Sequence, residues 1–329
     1  MEQVERGFPG SPEDYTVGWI CALEEEYLCA CRMLDEELPG PETIDDKDDN
    51  TYVFGRIAKH RVVIVCLPPG RYGESSAARV ARDMVRTFTR LRFALMVGIG
   101  GGAPTPQNDI RLGDVVKLQN GRFQRTGQLN APPEKLLGVL PEMKRRHNDK
   151  RLPDRLAEHL ARMDDMEDYK KPDDDRLYQT DYHHVGEEDC NQCDPRKMVK
   201  RSRRQNGRAM HVHYGTIASG NCILENAVVR DAYATDPELN VLCFENEAAG
   251  LMNNLPPLVI RGICGYCDTH RYDEWHKYAA LAAAAYAREL LLVLRPQRVD
   301  TTPIWAGQLV HELRKAVAKG TDFDPENGA

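Results

Sequence analysis

The chain of 329 residues is long enough for one large α/β domain or two modest ones. Its 41% hydrophobic and 29% charged residues are ordinary for a soluble globular protein, and a net charge of −7 gives no general support to nucleic-acid binding, though a local cluster can still hold an anion. No apolar run reaches the roughly 18–20 residues a membrane span needs, and Glu, Asp and Pro stand near the N-terminus where a signal peptide needs an apolar core.

Ten cysteines are many, but Cys21, Cys66 and Cys243 sit inside apolar strand patterns, where a thiol packs as a small hydrophobe. Without a secretion signal, reduced thiols and a cytoplasmic location are expected. Residues 1–14 read as a loose leader, 15–295 as one domain, and 296–329 as a tail or short helix with its helical stretch near Gln308 to Lys319.

Tyr15 to Leu23 predicts a strand by its β-branched and aromatic content, and Glu24, Glu25 and Glu26 open a helix. Acidic side chains in a first turn suit the helix dipole, which suffices for Glu24 and Glu25. Pro39 to Asn50 reads as a surface loop, and Tyr52 to Ile57 with His60 to Leu67 as a hairpin. The stretch from Pro68 to Ser76 then leads into a helix from Ala77 to about Phe88. Its glycines either present free amides to an anion, with Arg71 adding charge, or simply make a tight turn.

Phe93 to Val97 predicts another strand, and Gly98, Gly100, Gly101 and Gly102 after it read as a loop lying under a sugar or base. No Lys-Ser/Thr follows as in a Walker loop, and Pro104 and Pro106 forbid the helix of a dinucleotide fingerprint. Ile110 to Val116 predicts a strand containing Asp114, and Pro132 begins a helix to about Arg145.

Residues 147–210 are densely charged and read as an excursion from the domain. His183, His184, Cys190, Cys193, His211, His213 and Cys222 suggest zinc, but the second half of such a site has no regular spacing. No metal or other cofactor is therefore expected, with Cys190 and Cys193 as the weak alternative and loop packing as the bland one. The basic run at 196–208 lacks interleaved aromatics, so nucleic acid is not an expected partner.

The sheet resumes at Val212 to Ala218, Glu225 to Tyr233 reads as a short helix, and the tract from Leu239 to Asp268 follows. There, strand Val241 to Phe244 ends in Glu245 and Glu247, and strand Leu258 to Ile263 ends in Cys264-Gly265-Tyr266-Cys267-Asp268. Polar groups at the carboxyl ends of apolar strands are what an α/β enzyme uses to build a site. Trp275 to Leu294 predicts an alanine-rich helix able to pack on the sheet or on another subunit. The alternation of strands and helices predicts a single three-layer α/β domain with a central mixed, mostly parallel sheet flanked by helices.

Seven segments carry a family resemblance: ICALEEE (20–26), LPPGRYGESSAA (67–78), VGIGGGAP (97–104), DIRLGDVV (109–116), YGTIASGN (214–221), CFENEAAGLMNNLPPLVIRGIC (243–264) and WHKYAALAAAAYARELL (275–291). Together they make the chain resemble the purine and uridine phosphorylase superfamily, which includes the methylthioadenosine/S-adenosylhomocysteine nucleosidases. In texture it is similar to the fungal versions of this domain associated with NLR-type immune receptors. The resemblance implies cleavage of the ribosyl C1′–N bond of a purine, above all adenine, nucleoside or nucleotide, in a homo-oligomer without a cofactor. Water attacks in the nucleosidases and phosphate in the phosphorylases. Glu247 matches the glutamate that holds the ribose hydroxyls, and Glu26 the one that orients the water. Gly100 and Gly101 would line the sugar and anion side, and Phe244 or an aromatic from the excursion would face the base. Glu245, Arg71 and Ser219 are further candidate substrate contacts.

The chain also departs from that pattern. Asn246 stands where the family has a ribose-packing methionine, and Gly265 where it has the aspartate that protonates the leaving base. Asp268 matches the second, usually non-catalytic aspartate. Losing an acid costs about a hundredfold to ten-thousandfold in rate. Asp268 or a ligand group could stand in, the chain could be a binding or regulatory module with impaired turnover, or the glycine could be a substitution within an active lineage. Few basic residues beyond His270 and Arg271 follow, which weakens recognition of nucleotide phosphates, and the stretch from Val116 to Arg122 is shorter than the family norm. With Glu26 present, hydrolysis is expected ahead of phosphorolysis.

Overall fold

A computed structural model of the chain describes residues 10–118, 134–186, 190–204, 207–252, 255–270, 272–296 and 299. Most of the leader, most of the shortened stretch after Val116, the start of the helix at Pro132, Arg271 and the 308–319 helix lie outside the described residues. In chain order, β1 (Val17–Cys21) leads into α1 (Glu24–Arg32), β2 (Glu36–Glu37), β3 (Tyr52–Ile57) and β4 (His60–Cys66). Then come α2 (Glu74–Thr87), β5 (Phe93–Gly102), β6 (Val115–Leu118), α3 (Glu134–Leu137), α4 (Leu140–Asn148) and α5 (Arg155–Leu160). The excursion follows, and β7 (Val212–Ser219), α6 (Ala227–Thr235), β8 (Val241–Glu245), α7 (Ala248–Leu251), β9 (Leu258–Gly265) and α8 (His276–Val293) complete the domain.

Among the described residues nine strands lie in the order β2-β3-β4-β1-β5-β8-β7-β6-β9, and β9 pairs again with β5, so the second half of the sheet curls back on itself. β1 runs parallel to β4 and β5, β5 to β9, and β7 to β6 and β8; the other pairings are antiparallel. Every residue of β1 is buried, as a central parallel strand covered on both faces requires. α1 and α8 share one core with one face of the sheet, and α2 and α7 share a second core with the other. The result is the expected three-layer arrangement.

The glycine run differs from its expected loop. Gly98 to Gly102 are the second half of β5, paired with β9 and β8. Their lack of side chains serves strand crossing: a Cβ at Gly100 would lie 2.8 Å from Cys243 Sγ and 2.8 Å from the Phe244 carbonyl oxygen. Tertiary packing here overrides the loop preference of glycine. β6 starts later than Ile110 because the chain turns first, with Gly113 at φ +77° and the Asp114 carboxylate accepting from the Arg111 N–H at 2.9 Å.

Nearly the whole of α8 is buried within the chain, so its alanines pack on the sheet and do not offer a flat face to a second subunit. The approach is close: a Cβ on Gly262 of β9 would fall 1.9 Å from the Ala279 carbonyl oxygen. Because backbone stands on both sides, Gly262→Ala is expected to destabilise the fold by about 1–3 kcal/mol or more through overpacking. Denaturant unfolding should show a lowered midpoint with an unchanged m-value, and an unmoved midpoint would refute this account of the contact.

Candidate functional site

The carboxyl ends of β1, β5, β8 and β9 meet around one cavity of ≈ 410 Å³, a volume in the range used for small-molecule ligands. At the end of β1 the chain enters α1, and Glu26, in the first turn, is buried and turned back toward the strand. One of its oxygens accepts from the Ala22 and Leu23 N–H groups at 2.7 and 3.1 Å, and the other from the Ile99 N–H at 2.8 Å. Three of about four acceptor positions are thus used, leaving roughly one for the cavity. Burial pushes this carboxyl up to about 7, against the opposing pull of Arg261 and the three N–H groups. Space for the arrangement comes from Gly98, where a Cβ would sit 2.3 Å from Glu26 Oε1 and 2.6 Å from Arg261 Nη1.

β8 ends at Glu245, whose carboxylate accepts from the Glu247 N–H at 3.1 Å and the Ala248 N–H at 3.0 Å and so caps α7. The backbone at Glu247 is already helical (φ −116°, ψ −36°). Both glutamates converge on Arg261 of β9: its Nη2 donates to Glu245 and, at 3.1 Å, to Glu247 Oε2. The Glu245 side chain is 0% exposed and Glu247 10%, so Glu247 keeps the open side. Burial raises the Glu247 carboxyl, Arg261 pulls it down, and the neighbouring Glu245 charge adds to the rise. Sequence reasoning overlooked Arg261, although an arginine inside the apolar run LVIRGIC was a legible signal that a buried charge had partners.

Glu26, Phe244, Glu245, Asn246, Glu247, Gly100, Gly101, Gly265 and Asp268 all line this cavity. Arg71 and Ser219 are not among its lining residues. Arg71 is exposed, its N–H closing a turn onto the Pro68 carbonyl at 3.0 Å, and Ser219 Oγ accepts from the Ala249 N–H at 3.0 Å. The Asn246 amide, oriented to donate, reaches the carbonyls of Gly220 and Cys222 at 3.2 Å and ties that loop to the site. Tyr72, Ile223 and Leu224 add apolar surface beside Phe244.

Gly265 closes β9, and a Cβ there would meet only Tyr272 Cδ2, at an ordinary 3.5 Å. Asp268 is buried beyond it, with Oδ1 accepting from the His270 N–H at 2.9 Å and Oδ2 lying 3.8 Å from Arg230 Nη1. Asp268 Oδ2 and both ring nitrogens of His270 have no hydrogen-bond partner among the described residues. Cys264 and Cys267 also face the cavity, and burial pushes the Cys264 thiol up to about 12, far from thiolate chemistry.

The other candidates resolve by contact. His213 Nε2 lies 2.9 Å from Asp114, whose carboxyl Arg204 and His213 hold at about 2 despite its burial. Within the basic run, Arg204 pairs with Asp114 at 2.6 Å and Arg201 with Asp175 at 2.8 Å, so these arginines serve internal ion pairs. Cys222 is exposed, whereas His184, Cys190 and Cys193 are brought together with their donor atoms within 4.8 Å of one another. Among the described residues, no helix is long and apolar enough to cross a membrane.

No family model matches the chain. A nucleotide-binding leucine-rich repeat (NLR)-like protein of Hyaloscypha variabilis is 42% identical over 307 residues, covering 87% of this chain and 30% of that protein. The chain therefore spans 30% of the length of the curated relative it matches. Among solved structures, the 5′-methylthioadenosine/S-adenosylhomocysteine nucleosidase of Helicobacter pylori superposes with a TM-score of 0.53 at 12% identity, covering 84% of this chain and 97% of that one. The nucleosidase of S. pneumoniae gives 0.52 at 19% identity, over 85% of this chain and 100% of that one. That of Neisseria meningitidis, in complex with methylthio-immucillin-A, gives 0.52 at 17% identity, over 84% and 98%. Matched over 84–85% of its length by nearly the whole of these enzymes, the chain has the fold of the 5′-methylthioadenosine/S-adenosylhomocysteine nucleosidases.

Proposed function

We propose that the cavity binds a purine nucleoside or nucleotide, with adenine as the base, and hydrolyses its N-glycosidic bond. The observation that carries this reading is the convergence of Glu26 and Glu247 on one cavity, both buried and both raised toward neutrality. Glu247 holds the ribose hydroxyls and Glu26 orients the attacking water at C1′ and takes its proton. Breaking the C1′–N bond leaves positive charge on the sugar. Three carboxylates around one guanidinium make a site whose excess negative charge stabilises that cation.

The same charge disfavours phosphate as the nucleophile. No Lys or Arg side chain is among the described residues that line the cavity, and Arg71 is not one of them. Phosphorolysis is therefore the lesser reading. A second reading, a module of the NLR-like relative that binds the nucleoside with little turnover, is favoured by Gly265, which supplies no proton for the departing base.

The test is product analysis with adenosine and methylthioadenosine: free adenine with free ribose or 5-methylthioribose respectively, at a rate independent of added phosphate, is expected. Ribose phosphate would overturn the hydrolytic assignment, and tight binding without product would favour the module. Glu26→Gln should lower kcat/KM by about a hundredfold to ten-thousandfold. Because Glu26 acts ionised, kcat/KM of the parent should rise with pH through about 7 and level off above it. A flat profile from pH 5 to 9 would exclude Glu26 as the base.

A further inference from the structure

We infer that the charged excursion carries a zinc site formed by His184, Cys190 and Cys193. His184 Nδ1 lies 3.6 Å from Cys190 Sγ and 3.6 Å from Cys193 Sγ, and all three donor atoms fall within 4.8 Å of one another. As a metal site the distances close: with Zn–S of about 2.3 Å and Zn–N of about 2.05 Å, a tetrahedral angle places S and N ~3.6 Å apart. Two thiolates and an imidazole select zinc among abundant divalent cations, and the fourth position is left for water. The two thiols give up their protons on binding, so the zinc–dithiolate unit is neutral overall and suits its burial.

The surroundings fit a built site. Both cysteines are buried, at 3% and 6% exposure, beneath Tyr178, Tyr182 and Met198. The Val185 N–H donates to Cys193 Sγ at 3.5 Å, and the His184 N–H donates to Thr269 Oγ1 at 2.9 Å. Tyr178 stacks on His270 with ring centroids 4.0 Å apart. The zinc would thus close a polar segment, poor in apolar side chains, on itself, while the His184 N–H and Tyr178 tie that segment to the loop after β9 that carries Asp268. His184 lies six residues before Cys190 in sequence, a spacing outside the regular zinc patterns, which is why the chain marked it only as one of several candidate histidines beside the cysteine pair.

The 329-residue chain, purified under reducing conditions without chelator and dialysed, should contain about one zinc per chain by elemental analysis. Cys190→Ser, Cys193→Ser and His184→Ala should each lose most of it. Stripping the metal should lower Tm by on the order of 5 °C, and added Zn²⁺ should restore it. Should the variants fail to fold, Co²⁺ loaded into the unaltered chain decides: thiolate-to-cobalt charge transfer with tetrahedral d–d bands supports the site. Absence of both zinc and those bands overturns it, as does a Cys190–Cys193 disulfide found by mass in protein whose thiols were blocked at lysis. None of these readouts depends on nucleoside cleavage.

Discussion

Gly265→Asp is expected to raise the rate of adenine nucleoside cleavage by about a hundredfold to ten-thousandfold over the parent chain. A purine leaves poorly as an anion, so a group that protonates its ring nitrogen as the bond breaks lowers the barrier. Glu247 and Glu26 line the cavity, where the proposed reaction assigns them the sugar and the water, but glycine stands where the resemblance calls for the acid. The position accepts a side chain. Gly265 is not in the left-handed region, and the nearest atom to a new Cβ, Tyr272 Cδ2, is 3.5 Å away. Burial near Asp268 would raise the new carboxyl, which is the direction an acid needs at neutral pH. Gly265→Asn, with no proton to give, should recover far less. A folded Asp variant that binds nucleoside as the parent does, and cleaves it no faster, would mean that the missing acid is not what limits turnover.

Much of the fold was legible because periodicity and apolar content decide strand and helix where they are strong. The hairpin from Tyr52, the strands at Val212 and Val241 and the helix after Trp275 stand within a few residues of their expected bounds. The glycine run was misread because its cause is not local: Gly100 is bare to admit Cys243 and Phe244 from another strand, and no property of the run itself reports that neighbour. The pairing of Glu26 with Glu247 came from the family pattern. What holds Glu247 beside Glu245, Arg261, is long-range, and the chain marks it only as a charge inside an apolar strand. Arg71 and Ser219 looked equally suitable as polar residues, yet Arg71 stands exposed away from the cavity lining and the Ser219 Oγ accepts from the Ala249 N–H. Residue type indicates what a side chain can do, while direction and competition for partners depend on contacts distant in sequence.

Arg261→Met should be the most damaging single change in the domain that leaves every glycine crossing intact. The guanidinium is 0% exposed, and burial alone would disfavour its charge, but Glu245, Glu247 and Glu26 outweigh that and hold it firmly protonated. Methionine is close in length and apolar, so packing is largely kept and the loss is electrostatic. Three carboxylates would then share a buried site with no cation among them. Leaving one member of a buried ion pair uncompensated costs about 3–5 kcal/mol. The sign with pH follows from the carboxyls. Without Arg261 the folded pKa values of Glu26 and Glu247 rise further above the unfolded ones, so the penalty grows as pH rises through about 7, where Glu26 of the parent ionises, and shrinks as pH falls and the two take up protons. Denaturant unfolding of the variant should therefore show a deficit at pH 7.5 that narrows by pH 5.5, the reverse of a simple packing defect, whose cost would not vary between the two. Arg261→Met combined with Glu245→Gln should recover part of the loss, because Glu245 makes the closest contact to the guanidinium while its cap on α7 needs only an acceptor oxygen. Equal stability deficits at both pH values, with no recovery in the double variant, would show that the arginine is held for shape and that the carboxylates do not depend on it.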